Sequence, residues 1–312
     1  MHEDLEYTRL EQLLRAPAGC ALLVMMATHQ LSPREAIDPV TALHLLTQAV
    51  GQISPWIGVH DELVDQVRRD TAPLGDLARA LVREPGIEAW WAPVDRTHQV
   101  WIEPESWGGS TFPSPETFPT PASPPSRNEQ YTQFPSPHIV TAGEVGGWTG
   151  QLTALAHHVS DWHLNYTAQR RRVHIAPDAR VLEIVSAEDW HALVSTHGIP
   201  SAPGSISDRH PDRGQPWGPN DGLVPDWSTI AGHWDGVHIT LWALLTATQV
   251  RITSSAGWSE LWSRESEETT WLRWGFDAVE EMAPLDQVPG AQPYWLPYPI
   301  LGNQLIVRPI EE

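Results

Sequence analysis

The sequence predicts an α+β protein: a mainly helical N-terminal part ending in a β-hairpin, a Pro-rich connector, and a mixed part built on a central, mostly antiparallel sheet. Three observations predict it. Apolar residues recur at helical spacing through the first 86 residues. Nine prolines fall between Pro104 and Pro137. Beyond them the apolar runs shorten, alternate with polar residues and are bounded by Gly, Pro and Asp. The 312 residues suffice for two domains of ordinary size, 1–103 and 138–312, with 104–137 as the connector.

Leu5, Leu10, Leu13 and Leu14 fit one face of a helix from Leu5 to Arg15, stopped by Pro17-Ala18-Gly19. Cys20 to Thr28 is apolar and reads as a buried helix. Asp38-Pro39 supplies an N-cap and a first helical position, and Leu43, Leu46 and Val50 share the face that follows. Asp61 to Arg69 and Leu74 to Val82 make two more helices, closed by Pro85-Gly86. The period then changes. Trp90-Trp91 and the run from Gln99 to Ile102 flank the polar Asp95-Arg96-Thr97, which predicts the hairpin. The proline stretch lacks ladder donors and should run extended, ordered where its phenylalanines find a surface.

In the second half, His138 to Ala142 is expected as a strand and Trp148 to Val159 as a short helix. Val173 to Ile175 and Val181 to Val185 are strands parted by Pro177-Asp178, and Ser186 with Asp189 caps a helix through Val194. Asp208 to Asp221 is a Gly/Pro/Asp loop of the kind that covers a site or is merely long. Asp226 can cap a helix through Ala231, and Gly236 allows the turn into a strand from Val237 to Leu241. His238 and Thr240 alternate with Val237, Ile239 and Leu241, so they share one face, with Asp235 at the turn. Pro284 to Pro309 is a Pro-broken tail.

Composition removes several chemistries. All 19 basic residues are arginine, which excludes a Schiff-base lysine, a Walker-type phosphate lysine and a Ser-Lys nucleophile. A formal charge of −20 repels phosphate backbones, so neither nucleic acid nor an anionic membrane is an expected partner. Arg170-Arg171-Arg172 reads as a solvated strand entrance. The single cysteine, Cys20, allows no disulfide framework and no Cys-based zinc site. MHEDLEY lacks the marks of a signal peptide and no 18 apolar residues run together, so a soluble, cytoplasmic protein is expected. There is no Gly-x-Ser-x-Gly elbow, and no Gly-x-Gly-x-x-Gly follows a strand.

The 17 tryptophans exceed what a core of this length needs. Four adjoin an acid: Asp161-Trp162, Asp189-Trp190, Asp226-Trp227 and Trp234-Asp235. Indole faces beside carboxylates suit an amine or another cation, whereas the plainer account has each indole packing a helix on a sheet. The substrate-binding candidates on this pattern are Trp234, Trp271, Trp162, Asp226 and Glu267. Glu267-Glu268 leads into the strand Thr269 to Phe276, where a desolvated carboxylate can act as general base or simply end a strand in solvent. Glu268 or Asp235 is the expected base and His238 the acid or orienter. In HHVSDWH (157–163) only His157 and Asp161 share a helix face, so no metal site is expected. His60-Asp61-Glu62 reads as helix capping.

One order of short motifs carries a resemblance. Val181-Leu182-Glu183-Ile184, Asp189-Trp190, Asp226-Trp227, Trp234-Asp235-Gly236-Val237 and an acid before Trp271-Leu272 follow one another. Over residues 138–276 this resembles actinobacterial proteins whose C-terminal half is similar to the ADP-ribosyltransferase fold. The resemblance implies a glutamate on a late strand at the nicotinamide ribose, here Glu268 or Glu267, and NAD as the one cofactor to consider. Val140-Thr141-Ala142-Gly143 departs from that family's Ser-Thr-Ser or His-Gly-Thr strand.

The leading reading is an enzyme of specialised, natural-product metabolism that uses carboxylate and imidazole groups for group transfer or ring closure on an amine-bearing small molecule. No redox cofactor enters it. An ADP-ribosyltransferase-like, NAD-dependent transferase and a non-catalytic binding protein, with a protein partner or as a homodimer, stay open beside it.

Overall fold

The computed structural model describes residues 2–52, 61–104, 112–122, 133, 135, 139–145, 148–149, 168–201, 222–261 and 266–284. The protein is α+β, with helices gathered toward the N-terminus and the sheet toward the C-terminus. α1 (His2–Arg15) and α2 (Pro17–Thr28) meet at 88°. The break falls where Pro17 opens α2, a position at which its missing N–H costs nothing. Every residue from Pro17 to Met26 is buried, because α3 (Pro33–Ala36), α4 (Pro39–Gln52), α5 (Asp61–Thr71) and α6 (Gly75–Val82) complete a helical layer around α2. No single helix among the described residues is long and apolar enough to cross a membrane.

The predicted hairpin does not form. Ile87–Trp91 makes a 3-10 turn after Gly86, whose φ of 100° suits a residue without a side chain. Trp90 is drawn into the helical core, where burying its indole outweighs its strand propensity. β1 (Gln99–Pro104) finds its partners far along the chain instead. It lies between β2 (Ile139–Val145) and β4 (Ala168–Ile175), antiparallel to both.

The sheet runs β12 (Phe276–Glu281), β4, β1, β2, β11 (Glu268–Trp271), β8 (Gly236–Ile239), β5 (Val181–Ile184), with β3 (Trp148–Thr149) on the far end of β2. All of these pairs are antiparallel except β5 with β8. β3 stands where a helix from Trp148 was expected, and the rest of that span lies outside the described residues. β8 also stops sooner than its alternation suggests. Thr240 leaves the strand, accepts a hydrogen bond from the Ala243 N–H through Oγ1 and starts α9 (Leu241–Ala247).

The sheet has two unlike faces. One carries Ile184, Val237 and Ile239 and packs on α7 (Ala187–His197), α8 (Trp227–Ala231) and α9. From α9, Trp242, Leu244 and Leu245 continue into the core of the N-terminal helices, so the two layers share side chains. The opposite face is aromatic at one end: Trp271, Trp274 and Phe276 meet Phe112 and Phe118, described residues of the Pro-rich connector. Its other end is polar.

β6 (Gly198–Pro200) pairs with β7 (Leu223–Pro225), and β9 (Ile252–Ser254) with β10 (Gly257–Ser259), outside the main sheet.

Candidate functional site

The polar end of that face follows from register. Glu183 on β5, His238 on β8, Thr269 on β11 and Thr141 on β2 are Cα partners in successive pairs, so their side chains stand in one row. Strand alternation places Glu267, two residues before Thr269, on the same face. The neighbouring pair Gln99 and Gly143 extends that face onto β1.

His238 is the centre of the row and is 3 % exposed. Thr269 Oγ1 lies 3.0 Å from Nδ1, Glu267 Oε1 3.6 Å from Nδ1, and Glu183 Oε2 3.8 Å from Nε2. The two carboxyls therefore bracket the imidazole from opposite nitrogens. At these distances neither carboxyl is hydrogen-bonded to the ring, and no group of three His, Cys, Asp or Glu among the described residues is placed to hold a metal ion.

Each of the three groups is shifted toward its neutral form. Burial lowers His238 to about 3, against a backbone hydrogen bond at Glu268 that raises it. Burial raises Glu267 to about 8, helped by the charges of Glu268 and Glu183 and opposed by the Gly143 N–H, which donates to Oε2 at 3.3 Å. Burial likewise lifts Glu183 to about 7, although its Oε1 accepts from the Val94 N–H at 3.1 Å and the Arg96 guanidinium lies near. Near neutral pH the row thus holds a protonated acid, an acid close to its midpoint and an uncharged imidazole. Glu183 Oε2 is buried without a hydrogen-bond partner among the described residues.

The residues singled out from sequence divide sharply. His238 and Glu267 meet. Glu268 is buried but pairs with Ile239 in register, so it faces the helical layer, away from the imidazole. Asp235 sits at the other end of β8, where it accepts from the Arg180 N–H at 2.7 Å and ion-pairs with Arg273 at 2.6 Å. Those partners occupy both oxygens, and its role is to clamp the turns around Arg180 and Arg273. Asp226 caps α8, accepting from the N–H and hydroxyl groups of Ser228 and Thr229. Burial acts to raise its pKa, but these donors outweigh it and the carboxyl ends lower.

The indoles beside the acids go to the core. An acid at a helix N-terminus turns toward free backbone N–H groups, and its neighbour turns inward. Trp190 and Trp227 are buried between α7 and α8, and Trp234 is half-buried against the same cluster. Trp271 shares the face of His238 but is fully packed, its ring 4.5 Å from that of Phe276 and its Nε1 donating to Thr141 Oγ1 at 2.9 Å. The only indoles found under a cation among the described residues are Trp91 beneath Arg9 and Trp258 beneath Arg251, both internal partners. Trp162 and the rest of HHVSDWH lie outside the described residues.

Sequence reasoning passed over Glu183 and Gln99. A glutamate inside the apolar run Val181 to Val185 was the available signal. Gln99, at the head of an aromatic strand and fully buried, gave none until its partners were known.

Comparison with protein-family models, with curated proteins and with solved structures finds no match to this chain.

Proposed function

We propose that this protein is an enzyme that performs acid–base chemistry on an amine-bearing small molecule, with Glu183, His238 and Glu267 as its working groups. One observation carries the reading: two carboxyls of raised pKa bracket a buried neutral imidazole. Glu183, with a side chain 27 % exposed, is the most open of the three and in this reading takes the ammonium group. In its ionised form it accepts the ammonium proton and leaves the amine as a nucleophile. Glu267 gives its proton to the group that leaves as the amine bonds to carbon, in transfer or ring closure; Glu183 then releases its proton to solvent and Glu267 takes one back, with the neutral His238 between them. Protons and bonds balance over that cycle. The revised pair replaces Glu268 and Asp235, whose side chains face elsewhere. The chain's single cysteine, which allows no internal disulfide, supports a cytoplasmic setting.

Ethylamine, histamine and putrescine, titrated with thermal unfolding as readout, test the reading. Stabilisation that rises with amine concentration and vanishes in Glu183→Gln is the expected result. Equal behaviour of wild type and Glu183→Gln would remove it.

A second reading keeps one supporting observation. The resemblance to ADP-ribosyltransferases points to Glu268 or Glu267, and Glu267 is on the polar face. Saturable NAD binding that is lost in Glu267→Gln would favour that transferase over the amine enzyme.

A further inference from the structure

Next to the row of Glu183, His238 and Glu267 lies a buried amide. Trp271 Nε1 donates to Thr141 Oγ1 at 2.9 Å, and the Thr141 hydroxyl donates to Gln99 Oε1 at 2.8 Å. With its oxygen turned to Thr141, Gln99 directs Nε2 the other way. Gln99 is fully buried, and its Nε2 has no hydrogen-bond partner among the described residues.

That amide borders the position a Cβ of Gly143 would take. Gln99 pairs with Gly143, and Glu267 reaches over Gly143 from the other side. A Cβ at Gly143 would lie 3.8 Å from Gln99 Nε2 and 3.9 Å from Glu267 Oε2, and, its own chain neighbours aside, within 4 Å of no other atom of the described residues. The glycine therefore leaves an atom-sized opening rimmed by an amide N–H group and a carboxyl.

We propose that this opening seats a carbonyl oxygen of the amine-bearing substrate, with Gln99 Nε2 and the Glu267 carboxyl as its hydrogen-bond donors. The inference rests on the amine reading above and narrows it. Burial keeps Glu267 protonated near neutral pH, so its O–H is available to donate. Glu183, across His238, takes the ammonium end. The substrate class is then an amino amide or amino ketone, and the two donors are the kind that hold a carbonyl oxygen as it gains negative charge.

The test uses the full chain and three probes: ethylamine, acetamide and 6-aminohexanamide, whose chain is long enough to pass from Glu183 over His238 to Gly143, on strands about 14 Å apart. Side-chain amide resonances are followed by 1H–15N correlation. Acetamide and 6-aminohexanamide should move the Gln99 Nε2 signal, and 6-aminohexanamide should bind at least tenfold more tightly than acetamide. Gly143→Ala puts a methyl group into the opening at ordinary contact distances from both rim atoms, so the fold should persist. It should weaken 6-aminohexanamide at least tenfold and leave ethylamine within twofold. Gln99→Met, which keeps length without the donor, serves as the second variant. A Gln99 signal indifferent to both carbonyl probes, or 6-aminohexanamide binding unchanged in the variants, overturns the seat. If ethylamine still binds in that case, the amine reading survives, whereas loss of every ethylamine response overturns both.

Discussion

Thr269 and His238 are register partners on adjacent antiparallel strands, and the threonine hydroxyl lies 3.0 Å from the imidazole Nδ1. This pairing decides which of two consecutive glutamates belongs to the site. With Thr269 facing His238, the residue before it faces away and the residue before that faces in.

Glu267→Met and Glu268→Met should therefore act differently. The first should weaken binding of 6-aminohexanamide at least tenfold, because methionine has no hydrogen to donate to the carbonyl oxygen. The second should leave that affinity within about threefold if the protein remains folded. Isothermal titration of both variants measures this, and the reverse order would refute the register argument.

The raised carboxyls also set a pH dependence. Glu267 has a folded value of about 8 against 4.5 for the unperturbed group, so the folded protein holds a proton that the unfolded chain releases. Its contribution to stability is complete below about pH 4.5 and disappears as pH rises through 8, and Glu183 behaves alike through 7. His238 acts oppositely, but its contribution is lost below pH 6.5, toward 3. Between pH 6.5 and 8.5 the wild type should lose on the order of 2 kcal/mol by urea unfolding. Glu267→Gln should lose much less over that interval. An unchanged slope in the variant would contradict burial as the cause.

Asp235→Asn should cost stability and spare ligand binding. It removes an ion pair with Arg273 and weakens acceptance from the Arg180 N–H. A loss of about 1–3 kcal/mol in chemical unfolding is expected, with ethylamine affinity unchanged at saturation. A stable variant with abolished binding would restore Asp235 as a working group.

Gly275→Ala tests the packing that holds Trp271 in place. An added Cβ there would overlap the Trp271 ring, and the strand-borne indole has little room to move. Overpacking of this kind costs about 1–3 kcal/mol. Because Trp271 fixes Thr141 and through it Gln99, the Gln99 side-chain signal should shift as well.

The helices were legible because capping and spacing are local. Asp38, Ser186 and Asp226 cap where their neighbours imply. The face of His238 was legible too, since alternation needs only the strand. What could not be read was pairing across distance. Gln99 meets residues 143 and 173, and Glu183 meets residue 238. No local pattern encodes those partners, so Glu183 passed as an oddity of an apolar strand. The tryptophans misled for a related reason: adjacency in sequence was taken for adjacency in space, whereas Asp189 and Asp226 turn to helix ends and Trp190 and Trp227 to the core.

The position of β1 bears on how the molecule can be dissected and how it emerges from the ribosome. Both long edges of β1 are satisfied only by segments synthesised after it, β2 on one side and β4 on the other. A fragment ending at residue 104 would carry an apolar strand with two bare edges, a template for self-association. Trimming experiments should therefore keep β1 together with every later strand of the sheet, through β12. In the growing chain, β1 must wait until residue 173 has been made before its second edge closes, which makes sheet assembly a late, long-range event.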